Sequence, residues 1–169
     1  MAFNLNQGGN FISFATYSEL TTRDQRILEA NEGLTQAEVE TYLTQASQRM
    51  LTQIRNTDWW SESCFTIDTT LARDMRLLPS VNVYYIRARE QEFKDLNIYF
   101  ALAEYIYPSV ADFGNPESAE VAKINFFRDQ YNKLFTELIE SGDWYDFDND
   151  ATIEKLEKFP NKQNRVRVR

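Results

Sequence analysis

Apolar residues recur at helical spacing along three long stretches of this chain. Beyond Thr35, residues Val39, Leu43, Ala46, Met50 and Ile54 fall three or four positions apart, a stripe that predicts an amphipathic helix of about five turns. From Arg89 to Tyr107 the stripe is Phe93, Leu96, Phe100, Ala103 and Tyr107. Leu102, Tyr105 and Ile106 widen it, so this helix is expected to be enclosed on more than one side, with Pro108 near its end or kinking it. The third stripe is Val121, Ile124, Phe127, Tyr131, Leu134 and Leu138. Asn115-Pro116-Glu117 reads as its start, with an amide cap, proline at the first helical position and acid in the first turn, and it closes near Gly142.

Shorter signals fill the remainder. Thr16-x-x-Glu19 and Thr35-x-x-Glu38 are both capping boxes, in which hydroxyl and carboxylate satisfy amide donors that a helix start leaves unpaired. The first predicts a short helix to Asn31 that ends at Gly33. Residues 61–83 read as irregular with one short helix; Phe65-Thr66-Ile67 alternates like an extended segment and Pro79-Ser80 breaks any continuous element. The Asn/Gln/Gly-rich start, N-L-N-Q-G-G-N, offers little to fold around and reads as an arm or loop. The expected fold is all-α: a bundle of three main helices plus short helices, with an extended N-terminal arm and a C-terminal tail. The expected divisions are an arm at 1–15, a helical domain at 16–145, an acidic loop at 146–159 and a basic tail at 160–169.

Composition narrows the chemistry. A chain of 169 residues is the size of one domain with a self-sufficient core. It has no histidine, which removes Ser-His-Asp and Cys-His catalysis and His-ligated zinc. A lone cysteine, Cys64, forms no internal disulfide or Cys-x-x-Cys pair. The net charge of -8 argues against a general nucleic-acid binder. No leader pattern or long apolar run is present, so a soluble, unprocessed chain without a membrane anchor is expected. Carboxylates on helix faces are ordinary surface groups, and no nucleophile, base and oxyanion donors converge in the sequence; the chain is read as no enzyme.

Three features stand apart from the core pattern. Asp146, Asp148, Asp150, Thr152 and Glu157 follow the spacing of a twelve-residue calcium loop, with apolar Ile153 at its eighth position. Its sixth position, usually glycine, is Ala151, which costs about 1–2 kcal/mol if left-handed. The alternatives are a calcium site, the one cofactor raised, within a calcium-dependent protein-binding module, or a solvated acidic loop. The second feature is the C-terminus. Arg165, Val166, Arg167, Val168 and Arg169 alternate, so an extended chain puts three guanidiniums on one face and two valines on the other, suited to strand addition on an acidic partner or else a solvated tail. Residues 140–159 carry seven acids against two bases, whereas 160–169 carry four bases and no acid. The third is Trp59-Trp60: adjacent side chains point apart, so either one enters the core while the other serves a second surface such as a subunit seam, or both pack internally.

These elements together resemble a known family. Leu43 to Trp60 (L-x-x-A-S-x-R-M-L-x-x-I-R-x-x-x-W-W), Arg87 to Pro108, and D-W-Y-D-F-D-N-D-A-T-I with the basic valine tail are similar in layout to tailed-phage head-to-tail connector proteins, the head-completion adaptors. The resemblance covers residues 35–169. It implies a non-enzymatic α-helical virion protein of the neck, assembled in the host cytoplasm as a ring of about twelve copies between the portal and the next neck or tail component. It also implies that the C-terminal segment, here Arg165 to Arg169, engages the portal. The ring would surround the channel for genome DNA, where an acidic wall lets DNA pass without adhering.

Overall fold

The structure is a computed structural model that describes residues 3–24, 34–111 and 119–158. It is mostly helical. In chain order the elements are strands β1 (Asn4–Leu5) and β2 (Phe11–Ser13), then helices α1 (Tyr17–Arg23), α2 (Gln36–Arg55), α3 (Asp58–Ile67) and α4 (Glu90–Ala101). These are followed by a π-helical turn (Leu102–Ile106) and helices α5 (Tyr107–Val110), α6 (Ala119–Ser141) and α7 (Lys155–Lys158). Three 3-10 turns, Thr69–Leu71, Met75–Leu77 and Val83–Tyr85, occupy the stretch between α3 and α4. The described residues divide into two compact units, those within 2–49 and 91–135, and those within 50–90 and 136–158.

In the first unit, the residues expected to form an arm are folded. β1 and β2 pair antiparallel, Asn4 opposite Ser13 and Leu5 opposite Phe11 with a bulge between. The turn is held by Asn6, whose Oδ1 accepts from the Gly8 and Asn10 amides at 2.9 Å each, while Gly9 supplies a φ of +75°. The physical reason is aromatic. Phe3 and Phe14 are buried, their rings 5.0 Å apart and edge-on, and Phe14 lies 5.2 Å from Phe93 of α4. Asn97, fully buried on α4, locks this junction: its Oδ1 accepts from the Ala15 amide at 3.1 Å and its Nδ2 donates to the Leu43 carbonyl at 3.0 Å. Ser47 Oγ accepts from the Phe14 amide at 3.1 Å. Two backbone donors that leave the hairpin are thus satisfied by side chains.

Both capping boxes form. Thr16 and Glu19 exchange bonds at the start of α1, and at α2 the Thr35 amide donates to Glu38 Oε2 at 2.8 Å while the Glu38 amide donates to Thr35 Oγ1 at 3.3 Å. α1 stops at Arg23, short of the expected Asn31; residues 25–33 lie outside the described residues. The predicted stripes are buried as expected: Val39, Leu43 and Ala46 from α2, Phe93, Leu96 and Phe100 from α4, and Ile124, Phe127 and Tyr131 from α6. The Asn115-Pro116-Glu117 start lies outside the described residues. As expected, Pro108 lies near the end of its helix, which closes two residues later at Val110. A π-helical turn precedes it, and such a turn re-registers the backbone bonds around a residue that has no N–H to give.

In the second unit, α3 replaces the expected irregular stretch at its start. Thr57 caps it, Oγ1 accepting from the Trp60 amide at 3.2 Å, and the helix runs through Phe65-Thr66-Ile67, whose alternation predicts an extended segment. Three alternating residues carry no decisive period, and the upstream cap decides. Gly142 closes α6 with a φ of +59°. No helix of the described residues is long and apolar enough to cross a membrane.

Candidate functional site

The acidic loop is built on an aromatic floor within the second unit. Trp60 is buried and donates from Nε1 to the Pro79 carbonyl at 3.3 Å. Trp59, half-buried, lies 4.8 Å from Trp144 and 5.5 Å from Phe147, ring to ring. Tyr145 packs edge-on against Trp60 at 4.9 Å, and its hydroxyl accepts from the Asn82 amide at 3.1 Å. Both tryptophans of the pair therefore contact the same aromatic group, Trp60 from the core side and Trp59 nearer the surface. Trp144, fully buried, donates to the Leu138 carbonyl at 2.9 Å.

Two backbone bonds pin this segment against the chain before α4. The Arg87 amide donates to the Trp144 carbonyl at 2.8 Å and the Asp146 amide to the Tyr85 carbonyl at 3.0 Å, bracketing an Ile86–Tyr145 bridge. Alongside, Arg89 reaches Asp143 through both Nε and Nη2, and this guanidinium holds the Asp143 carboxyl below the usual carboxylate range.

Asp146 is thereby carried to a fully buried position. Its Oδ2 accepts from Arg87 Nε at 3.0 Å and from the Ala151 amide at 2.9 Å. Arg87 Nη2 continues to Asn149 Oδ1 at 2.7 Å. Asp146 Oδ1 has no hydrogen-bond partner. Glu157, also buried, accepts from the Phe147 amide on Oε1 and the Glu154 amide on Oε2, both at 2.7 Å. Asp148 is exposed and accepts from the Asp150 amide at 3.2 Å. Carboxylate oxygens of Asp146, Asp148 and Glu157 lie within 4.8 Å of one another.

Three of the five expected loop ligands are thus brought together. Asp150 and Thr152 are engaged with each other: Asp150 Oδ1 accepts from the Thr152 hydroxyl at 2.6 Å and amide at 2.8 Å, bonds that lower the Asp150 carboxyl from its ordinary value. Ala151 adopts the left-handed backbone its loop position demands, φ +72°, as does Asn149 at +60°. Arg87, which neutralises Asp146 from 59 positions upstream, is the functional residue that loop spacing alone does not reveal. Arg165, Val166, Arg167, Val168 and Arg169 lie outside the described residues. Cys64 is buried, and burial pushes its thiol up to about 11, which keeps it protonated and unreactive near neutral pH. No family model, no curated protein and no solved structure matches this chain.

Proposed function

We propose that this protein is a structural adaptor of the tailed-phage head-to-tail connector type, forming a ring in the virion neck between the portal and the next neck or tail component. The observation that carries the reading is the stretch from Ile67 to Tyr84. Ile67, Met75, Leu77 and Tyr84 are all exposed, with Met75 and Leu77 at 55%. Four large apolar side chains within one short stretch fit a surface that a neighbour covers, and because each is already about half covered, burying the remainder contributes about 1 kcal/mol per side chain. In a ring the neighbour is a second copy of this chain. The stretches that resemble the family coincide with helical elements, Leu43–Trp60 with α2 and the start of α3, and Arg87–Pro108 with α4 and the π-helical turn. The net charge of -8 suits a channel wall that repels phosphate during DNA passage.

Two variants test the proposal. Deleting residues 164–169 leaves the melting curve unchanged and abolishes capture by portal rings; unchanged capture contradicts docking by the C-terminus. A Met75→Asp, Leu77→Asp double variant stays folded, because both side chains already face solvent, and loses side-by-side assembly on the portal. Full assembly by that variant contradicts the apolar seam.

A further inference from the structure

We infer that Asp146, Asp148 and Glu157 form a binding site for a divalent cation of the calcium type. Exposed carboxylates cluster on many proteins without a ligand, but two of these three are buried, Asp146 at 0% and Glu157 at 3% exposure. The deciding atom is Asp146 Oδ1. Oδ2 is occupied by Arg87 and the Ala151 amide, which leaves Oδ1 buried and without a hydrogen-bond partner, in a cluster whose three carboxylates each bring an oxygen within 4.8 Å of the others. An unsatisfied carboxylate oxygen inside a protein is costly, and a bound cation removes that cost.

Charge leads to the same ligand. Among the described residues the three carboxylates have one ion-pair partner, Arg87, so the group retains a formal charge of about -2, which one divalent cation cancels. Size agrees as well. Calcium holds its oxygens at about 2.3–2.6 Å, so ligands on opposite sides of the ion stand about 5 Å apart; the three carboxylate oxygens all lie within 4.8 Å of one another. Ala151 already has a φ of +72° and donates its amide to Asp146, so the loop holds its turn before any ion arrives. Magnesium demands near-ideal octahedral geometry and gives up its waters reluctantly, which places it below calcium at this irregular, all-oxygen site. Three carboxylates leave at least half of the coordination positions to water or main-chain carbonyls, so affinity falls near the weak end of calcium loops, about 10⁻⁴–10⁻³ M. Such an ion fastens the chain just ahead of residues 159–169. The binding itself does not rest on the adaptor reading.

The test uses the full chain, stripped with chelator and titrated with calcium chloride or magnesium chloride alone by calorimetry and thermal melting. Terbium is a second probe, because Trp144, two residues from Asp146, sensitises its emission. The expected result is one calcium per chain, a raised melting temperature and weaker magnesium binding. Asp148→Asn keeps the oxygen that accepts from the Asp150 amide and relieves like-charge repulsion, so its calcium-free melting is no lower than the parent's while calcium affinity drops at least tenfold. The absence of heat, melting shift and terbium emission up to about 10 mM metal overturns the inference, well above the expected affinity range; so does unchanged affinity in Asp148→Asn. Loss of cation binding with portal-dependent assembly intact overturns this site alone.

Discussion

Arg87 and Asp146 form an ion pair at 3.0 Å in which the carboxylate is fully buried and about a third of the guanidinium side chain faces solvent. The pair joins the chain ahead of α4 to the loop after α6, next to the backbone bonds that Arg87 and Asp146 themselves make. Removing the cation strands a buried charge. Arg87→Met is therefore expected to destabilise the protein by about 2 kcal/mol, below the usual 3–5 for a fully buried pair because water reaches Arg87. Adding Asp146→Asn to Arg87→Met restores most of the loss. Urea denaturation of both variants measures this, and equal instability of the single and double variants contradicts the charge argument.

Gly142 cannot accept a side chain. A methyl group there would sit 2.4 Å from the Lys158 carbonyl oxygen and 2.8 Å from Trp59 Nε1, at a φ of +59°. Left-handed strain of about 1–2 kcal/mol adds to a backbone clash that relaxes only by moving α7, so Gly142→Ala is expected to cost about 3 kcal/mol. Equilibrium unfolding checks it; a loss under about 1 kcal/mol means that α7 shifts freely.

Trp60 and Trp59 are predicted to separate. Trp60 is buried with its indole N–H bonded to Pro79, so Trp60→Ala should cost about 3–5 kcal/mol. Trp59 is half-buried and its Nε1 has no hydrogen-bond partner, so Trp59→Ala costs less. Melting curves of the two variants rank them, and the reverse order contradicts this packing.

Acid destabilises through identifiable carboxylates. At Glu19, burial raises the carboxyl, but bonds from Lys94 and Thr16 outweigh it and hold the group below its ordinary value; Asp143 is held down first by Arg89. Each folded-state value lies below the unfolded one, so the folded state binds fewer protons across the interval between them. The stabilisation is fully present above the unfolded value, about 4, and is lost as pH falls through the folded value. Asp143→Asn should flatten the fall in denaturation midpoint below about pH 4; an unchanged slope contradicts the assignment.

Local signals were legible in the sequence wherever chemistry and period agreed within a few residues. The Thr16/Glu19 and Thr35/Glu38 boxes, the buried stripe of α2 and the glycine that closes α6 all follow from short-range pattern. The hairpin was not legible, because strands of two and three residues carry no measurable alternation. Its available signal was three phenylalanines, Phe3, Phe11 and Phe14, flanking a Gly-Gly turn. Loop spacing brought Asp146, Asp148 and Glu157 forward, yet it also included Asp150 and Thr152, which hydrogen-bond to each other. Arg87 entered only through tertiary packing, which no local pattern encodes.

We propose that this chain functions by assembling on a portal. Native mass measurement of the protein alone and mixed with portal rings tests it most directly. One mass is expected for the free chain, with a portal-dependent jump to about twelve added copies that is lost in the Met75→Asp, Leu77→Asp variant. Portal rings that emerge at their own mass, with no added copies of this chain, contradict it.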